Sequence, residues 1–351
     1  MIAHQGHTPD RTRQMKPRRK FILKILLGLA ITLFIAFELV ARFAMGLGDP
    51  PLWILDPKIE YLARPNGEYM RFGNRVKYNA YSMRSDDFAP TKTDPREIRV
   101  MTIGDSVLNG GNLVDQDDIA TEIARKALEK KLGRPVVIGN ISAGSWGPRN
   151  QLEYIRRFGV FDADLVILVT HSSELDDEPT YDVELGVTRK MVDQKPLLAL
   201  SEFFSRYLVE FFQQFLPKEG DPTLADIDPR TTFEFSTRPD MEAMDEAITE
   251  SGADFEIILH PRGRELDGNE HPRLDAIIDF ARERDIRLAD LSSSYLFSLQ
   301  IGNQIYELGD IHINELGQEL LAKKLVEVVH SWAIRSEREA KEADPPRLPG
   351  E

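Results

Sequence analysis

Short apolar runs alternate with amphipathic stretches over most of the chain. Ile98–Ile103, Val136–Ile141, Leu165–Val169, Phe255–Leu259 and Ile286–Leu291 are five or six residues long and rich in β-branched side chains. That is the composition of parallel strands covered on both faces. Between them, apolar positions recur at helical spacing over 117–132, 148–158, 241–251 and 272–284, with a last helix over 315–334. Strict strand–helix alternation predicts an α/β fold, a three-layer α/β/α sandwich around a parallel, flavodoxin-like sheet. Two stretches break the alternation. Residues 196–216 read as one strongly apolar helix carrying Phe203, Phe204, Tyr207, Phe211, Phe212 and Phe215, and Lys218–Pro239 reads as a loop.

The amino-terminal pattern is different. Ile25–Phe37 is free of charge, and the apolar stretch extends over Phe21–Met45 if Lys24, Glu38 and Arg42 are tolerated. At helical rise that covers about 37 Å, enough to cross a bilayer. Glu38 and Arg42 stand four apart and can pair on one face. A cleaved signal peptide is the rival reading, with small residues only at Ala44 and Gly46 to serve a peptidase. In either case the basic residues ahead of the segment keep the amino end in the cytoplasm. The expected organisation is a basic cytoplasmic segment (1–20), an anchor (21–45), a stalk and irregular lead-in (46–96) and a main α/β domain (97–334) with an insertion at about 190–240. A disordered tail (335–351) closes the chain. Within the lead-in, Arg75–Tyr78 is strand-like.

Charge sharpens the picture. The 351 residues hold 44 Lys and Arg against 58 Asp and Glu, a formal net charge of -14. Seven of the basic residues but only Asp10 among the acids lie in 1–24, leaving 37 basic against 57 acidic groups beyond them. So acidic a body is unsuited to a phosphate backbone, and nucleic acid is not an expected partner. With no cysteine in the chain, disulfides, thiolate metal sites, a cysteine nucleophile and a lipid-modified Cys are excluded. No cofactor or metal is expected. The acidic run Glu174, Asp176, Asp177 and Glu178 reads as solvated loop charge, His260 as a hydrogen-bonded structural residue and His271 as surface.

Candidate chemistry sits where strands end. The first strand breaks into Gly104-Asp105-Ser106-Val107. A Ser at that position presents its hydroxyl at the ligand-binding end of a parallel sheet and offers its own amide to an oxyanion. Gly309-Asp310-Ile311-His312-Ile313-Asn314-Glu315-Leu316-Gly317 precedes the final helix, and its His can act as base with the Asp as orienting carboxylate.

Together, in this order, these motifs resemble the SGNH/GDSL hydrolase family over roughly Ile98 to Val329. The resemblance implies Ser106 as nucleophile, His312 as general base and Asp310 as its partner. The family's second block corresponds to Asn140-Ile141-Ser142-Ala143-Gly144-Ser145-Trp146-Gly147, which makes Gly144 an oxyanion amide. Its last block is usually Asp-x-x-His. Here the Asp-x-His form with Asn314 and Gly317 following is similar to a subset resembling polysaccharide O-acetyltransferases. One block departs: where the family has Gly-x-Asn-Asp, this chain has His171-Ser172-Ser173-Glu174. That puts Ser173, with His171 as a second candidate, in place of the oxyanion Asn. Asn79-Ala80-Tyr81-Ser82-Met83-Arg84-Ser85-Asp86 resembles the lead-in of membrane-anchored bacterial members and reads physically as a turn-rich segment able to pack on a sheet edge.

The implied function is an envelope serine esterase or O-acyltransferase acting on O-acyl, chiefly acetyl, esters of a small molecule or surface polysaccharide. It would sit in the inner membrane as a single-pass protein with its catalytic domain outside the cytoplasm, beside polysaccharide-assembly partner proteins. The alternative is a non-catalytic glycan-binding or assembly scaffold on a degenerate SGNH fold.

Overall fold

The computed structural model describes residues 17–186, 191–208 and 233–343. Helix α1 (Pro17–Leu39) continues into a π-helical turn at Val40–Ala44 and carries its apolar side chains exposed. Four short strands follow as two antiparallel hairpins: β1 (Trp53–Asp56) with β2 (Glu60–Ala63), and β3 (Glu68–Arg71) with β4 (Asn74–Lys77).

The main sheet contains β5 (Ile98–Gly104), β6 (Val136–Ser142), β7 (Leu165–Thr170), β8 (Asp254–Leu259) and β9 (Arg287–Asp290). Their order is β6-β5-β7-β8-β9, and every pairing is parallel. This is the flavodoxin-like order, whose direction reverses between the first and third strands. Side chains alternate between two cores, as period-two geometry requires. Met101, Ile103, Val166 and Leu168 pack under α4 (Pro148–Phe158), α6 (Arg238–Glu250) and α7 (Pro272–Glu283). Ile98, Val100, Leu165 and Ile167 pack under α3 (Ala120–Leu132), α8 (Ser292–Gln300) and α9 (Glu315–Ala343). The expected three-layer α/β/α sandwich is present.

Several sequence expectations need correction. Residues 46–96 are no stalk: Ile59, Tyr61, Tyr69, Val76, Tyr78 and Met83 are buried in the same core as the sheet. Short aromatic-rich strands give little periodic signal, and burial against a distant helix layer decided their state. The Asn79–Asp86 turn does reach the sheet edge, where the Arg84 amide donates to the Asn140 carbonyl of β6 at 3.0 Å. The final helix does not stop at 334 but runs to Ala343. Arg335 pairs with Glu256 and Arg134 with Glu337 at 3.6 Å, so charges that read as a disordered tail hold the helix on the body. α8 was not expected.

The apolar stretch at 196–216 is helical over α5 (Ala199–Glu202) and a π-helical continuation at Phe203–Leu208; 209–216 lie outside the described residues. Of the expected loop Lys218–Pro239, 218–232 also lie outside them, and Arg238 and Pro239 already belong to α6, where Pro suits the first turn.

Candidate active site

β5 delivers Ser106, the expected nucleophile. Gly104 has no room for a side chain, since a Cβ would come within 3.0 Å of both the Leu108 side chain and the Val169 carbonyl. Asp105 caps the short helix α2 (Ser106–Asn109), its carboxylate accepting the Val107 amide at 2.8 Å. Ser106 is thereby the first residue of a turn at the carboxyl end of the sheet, beside the point where strand order reverses.

His312 comes from the opposite end of the chain. It lies on β11 (His312–Ile313), paired antiparallel with β10 (Tyr306–Leu308). The motif around it has a physical reason. Asn314 accepts the Gly317 amide at 3.1 Å and donates to the Gln304 carbonyl at 2.8 Å, capping the entry to α9. A Cβ on Gly317 would overlap that of Ile313 and approach the Ile305 carbonyl to 2.9 Å. Buried Gln318 donates to the Val107 carbonyl at 3.0 Å and accepts the Ala120 amide at 2.9 Å, tying α9 to the Ser106 turn. The outcome is a separation of 3.0 Å between Ser106 Oγ and His312 Nε2.

Asp310 does not complete this relay by a hydrogen bond to His312. Its carboxylate accepts from Arg262 Nη2 at 2.8 Å and lies 3.3 Å from Arg264 Nε. Two guanidiniums outcompete a neutral imidazole for one carboxylate. The expectation that Asp310 orients His312 directly therefore fails in this arrangement. What holds the His312 turn is backbone: the Gly263 amide donates to the Asp310 carbonyl at 2.6 Å, and His260 Nε2 donates to the Ile311 carbonyl at 2.9 Å. With Tyr295 Oη 3.1 Å from its Nδ1, His260 is a structural residue, and burial pulls its imidazole down to about 3.

Neither the Ser106 amide nor the Gly144 amide has a hydrogen-bond partner among the described residues, and the pairing of Gly104 with Ser142 sets their two turns side by side at the carboxyl end of the sheet. The turn carrying Gly144 is set by the lead-in: Tyr61 Oη donates to the Gly144 carbonyl, and Trp146 Nε1 to the Tyr61 carbonyl at 3.2 Å. Apart from its chain neighbours, nothing stands within 4 Å of where a Gly144 Cβ would be.

Ser173 and His171 are placed otherwise than expected. Ser173 Oγ lies 3.1 Å from His171 Nδ1 and accepts from Arg262 Nη1 at 3.2 Å, so its hydroxyl is already engaged. Buried His171 has its Nε2 3.0 Å from Asp105 Oδ2 and its Nδ1 facing the Ser173 amide at 3.2 Å, which leaves no ring nitrogen for an oxyanion. Glu174 is no solvated charge either. It is buried beside His171 and accepts from Thr170 Oγ1 at 2.9 Å. His271, expected on the surface, is buried and pairs with Asp267 at 2.8 Å.

The buried trio is electrically strained. Burial raises the Asp105 carboxyl, but the adjacent His171 charge and hydrogen bond outweigh it and hold it at about 2. Burial and the facing Ser173 amide disfavour a His171 cation, yet the charge of Asp105 lifts the imidazole to about 9. Burial pushes Glu174 up to about 8. Asp105, His171 and Glu174 present ligand atoms within 4.8 Å of one another. Each protonation state of His171 compatible with its neighbours keeps a proton on Nε2, the atom a cation would need, so the trio suits a hydrogen-bonded network.

No family model and no curated protein matches the sequence. Solved structures similar to this one include a member of the lipolytic G-D-S-L family from Veillonella parvula DSM 2008, at 17% identity and a TM-score of 0.40 over 66% of this chain and 97% of that one. The acetyl xylan esterase AlAXEase matches at 15% identity and 0.42, covering 66% of this chain and 100% of its own. The lipase/acylhydrolase from Enterococcus faecalis matches at 12% and 0.38, with 66% and 95% covered.

Residues that the sequence left unread do much of the positioning. Arg84 is fully buried, and its guanidinium donates to the carbonyls of Asn109, Gly111 and Val114, the last at 2.6 Å, clamping the exit of α2. Asn109 donates to the Ser142 carbonyl at 3.0 Å. The only signal for Arg84 was its place in the Asn79–Asp86 turn, and Arg262 had none.

Proposed function

We propose that this chain is a serine esterase or O-acyltransferase. The observation that carries the reading is the Ser106 Oγ to His312 Nε2 separation of 3.0 Å beside the two unpartnered amides of Ser106 and Gly144. With its proton on Nδ1, His312 takes the Ser106 proton through Nε2 as Oγ attacks an ester carbonyl. The Ser106 and Gly144 amides receive the developing oxyanion. Collapse expels the alcohol with the proton from His312. The acyl group on Ser106 then passes to water or to a sugar hydroxyl. Asp105 also lies within 3.2 Å of Ser106 Oγ. Because His171 occupies the same Oδ2, that carboxylate competes weakly for the hydroxyl proton, which stays available to His312.

The substrate reading is an O-acyl ester, chiefly acetyl, on an extracytoplasmic glycan, served by a domain held at the inner membrane through α1. The Asp310-x-His312 form and the 27-residue apolar helix Arg18–Ala44 support it. One observation favours the non-catalytic scaffold instead: the Ser173 hydroxyl is engaged, leaving two oxyanion donors. Reaction of the purified full chain with a fluorophosphonate probe and with p-nitrophenyl acetate separates the two. Labelling and turnover that vanish in Ser106→Ala support the enzyme, while equal rates in both proteins leave the scaffold.

A further inference from the structure

The α5 segment is built onto the end of the apolar helix. Glu38 accepts the amides of Ala199 and Leu200 through its two oxygens, each at 2.9 Å, so a carboxylate from α1 caps the start of α5. Arg42 pairs with Glu38 at 2.9 Å. From the other side, the buried Glu202 binds Arg71 at 2.6 Å and the Gly48 amide at 2.7 Å, while Arg71 also reaches Tyr207 Oη at 2.7 Å. Ala41, Leu47 and Ala199 form a small core of their own between the two helices.

That attachment fixes a height. Counting about 20 apolar residues for a bilayer's hydrocarbon core from Phe21, the first residue after the basic Arg18–Lys20, the far boundary falls near Val40. Glu38 and Arg42, and with them α5, therefore lie at the far membrane–water boundary. The outward side of the same segment carries large exposed apolar side chains, Leu197 at 92%, Phe204 at 54% and, on the turn leaving α1, Phe43 at 78%. The exposed Ser201 and Ser205 hydroxyls beside them are bonded back to the Leu198 and Ser201 carbonyls. A run of exposed aliphatic and aromatic side chains continuous with a membrane helix has the composition of an interfacial belt.

Resting on the reading of α1 as an anchor, we infer that Leu197–Leu208 and Phe43 lie in the outer leaflet of the bilayer that α1 crosses, as a second membrane contact that fixes the catalytic domain against the lipid surface. The occupant of this apolar face is acyl chain and headgroup, with Arg42 and Arg71 holding the polar side. The domain then does not swing on a tether, and Ser106 works at a set distance from the membrane.

Reconstitution of the full chain in phosphatidylcholine nanodiscs, with part of the lipid brominated along the acyl chain, tests this. Single Trp substitutions report bromine contact against the unsubstituted protein, whose Trp53, Trp146 and Trp332 are buried. Leu29→Trp reports the anchor, Phe204→Trp the inferred contact and Ile334→Trp an exposed site on α9 at the far end of the sheet. The expected result is quenching of the added fluorescence by about twofold or more at 29 and 204 and none at 334. Quenching at 29 with 204 as silent as 334 overturns the second contact and leaves the anchor standing. Silence at both 29 and 204 overturns the anchor and the inference with it.

Discussion

Asp310 and His312 stand two residues apart, yet the carboxylate turns to Arg262 and Arg264. This separates two ways of losing the acid. Where a carboxylate bonds the imidazole directly, its amide replacement costs about 10⁴-fold in kcat. Here Asp310→Asn is expected to cost no more than about 100-fold in p-nitrophenyl acetate turnover, while His312→Ala removes at least about 10³-fold; kcat measured for both variants decides. An Asp310→Asn loss as large as that of His312→Ala would mean that the carboxylate leaves Arg262 during the reaction. Arg262 also shows why residue chemistry alone was an incomplete guide, because its guanidinium joins Ser173 to Asp310 across 137 positions of sequence that carry no common motif.

At the scale of elements, the site depends on how helices are joined to strands. Gly317 allows α9 to start directly against Ile313, next to His312. Gly317→Ala forces an overlap that costs about 1–3 kcal/mol, and it should shift the His312 turn as well. The expected readout is a lowered thermal midpoint together with a loss of turnover larger than the folded fraction explains. Arg84 does the same for α2 from the lead-in. Arg84→Met leaves buried carbonyls of Asn109, Gly111 and Val114 without their charged donor, an expected loss of about 3 kcal/mol or more in urea unfolding. A neutral effect would mean that water or a neighbouring amide replaces the guanidinium.

For the whole molecule, the buried trio behind Ser106 links stability to pH. Asp105 is held below its ordinary 3.8, so its contribution exists above that pH and is lost only as pH falls through about 2. His171 is lifted from 6.5 to about 9, so its contribution is full below 6.5 and disappears as pH rises through about 9. Glu174, raised from 4.5 to about 8, favours the protonated folded form and loses its contribution over that interval. The thermal midpoint should therefore fall steadily from pH 5 to pH 9.5. In Glu174→Gln, which keeps an acceptor for Thr170, the decline between pH 5 and 8 should flatten; an unchanged slope would place the titration elsewhere.

Periodicity and composition by themselves determined the five parallel strands, most of the flanking helices and the apolar amino-terminal helix, because each is a local pattern that does not depend on distant segments. The Ser106 and His312 motifs were legible only together, as two short blocks in family order at the ends of predicted strands, since either block alone is what an ordinary turn would carry. Tertiary structure alone decided which partners those side chains take. Asp310 goes to Arg262, Ser173 to His171, and Glu174 into the core, since competition among charges and hydrogen-bond donors depends on distances set by distant segments. The lead-in was misread on similar grounds, its burial being supplied by α4 and the sheet rather than by any repeat of its own. The docking of α5 on Glu38 likewise joins residues more than 150 positions apart, and only the folded chain brings that carboxylate to those amides.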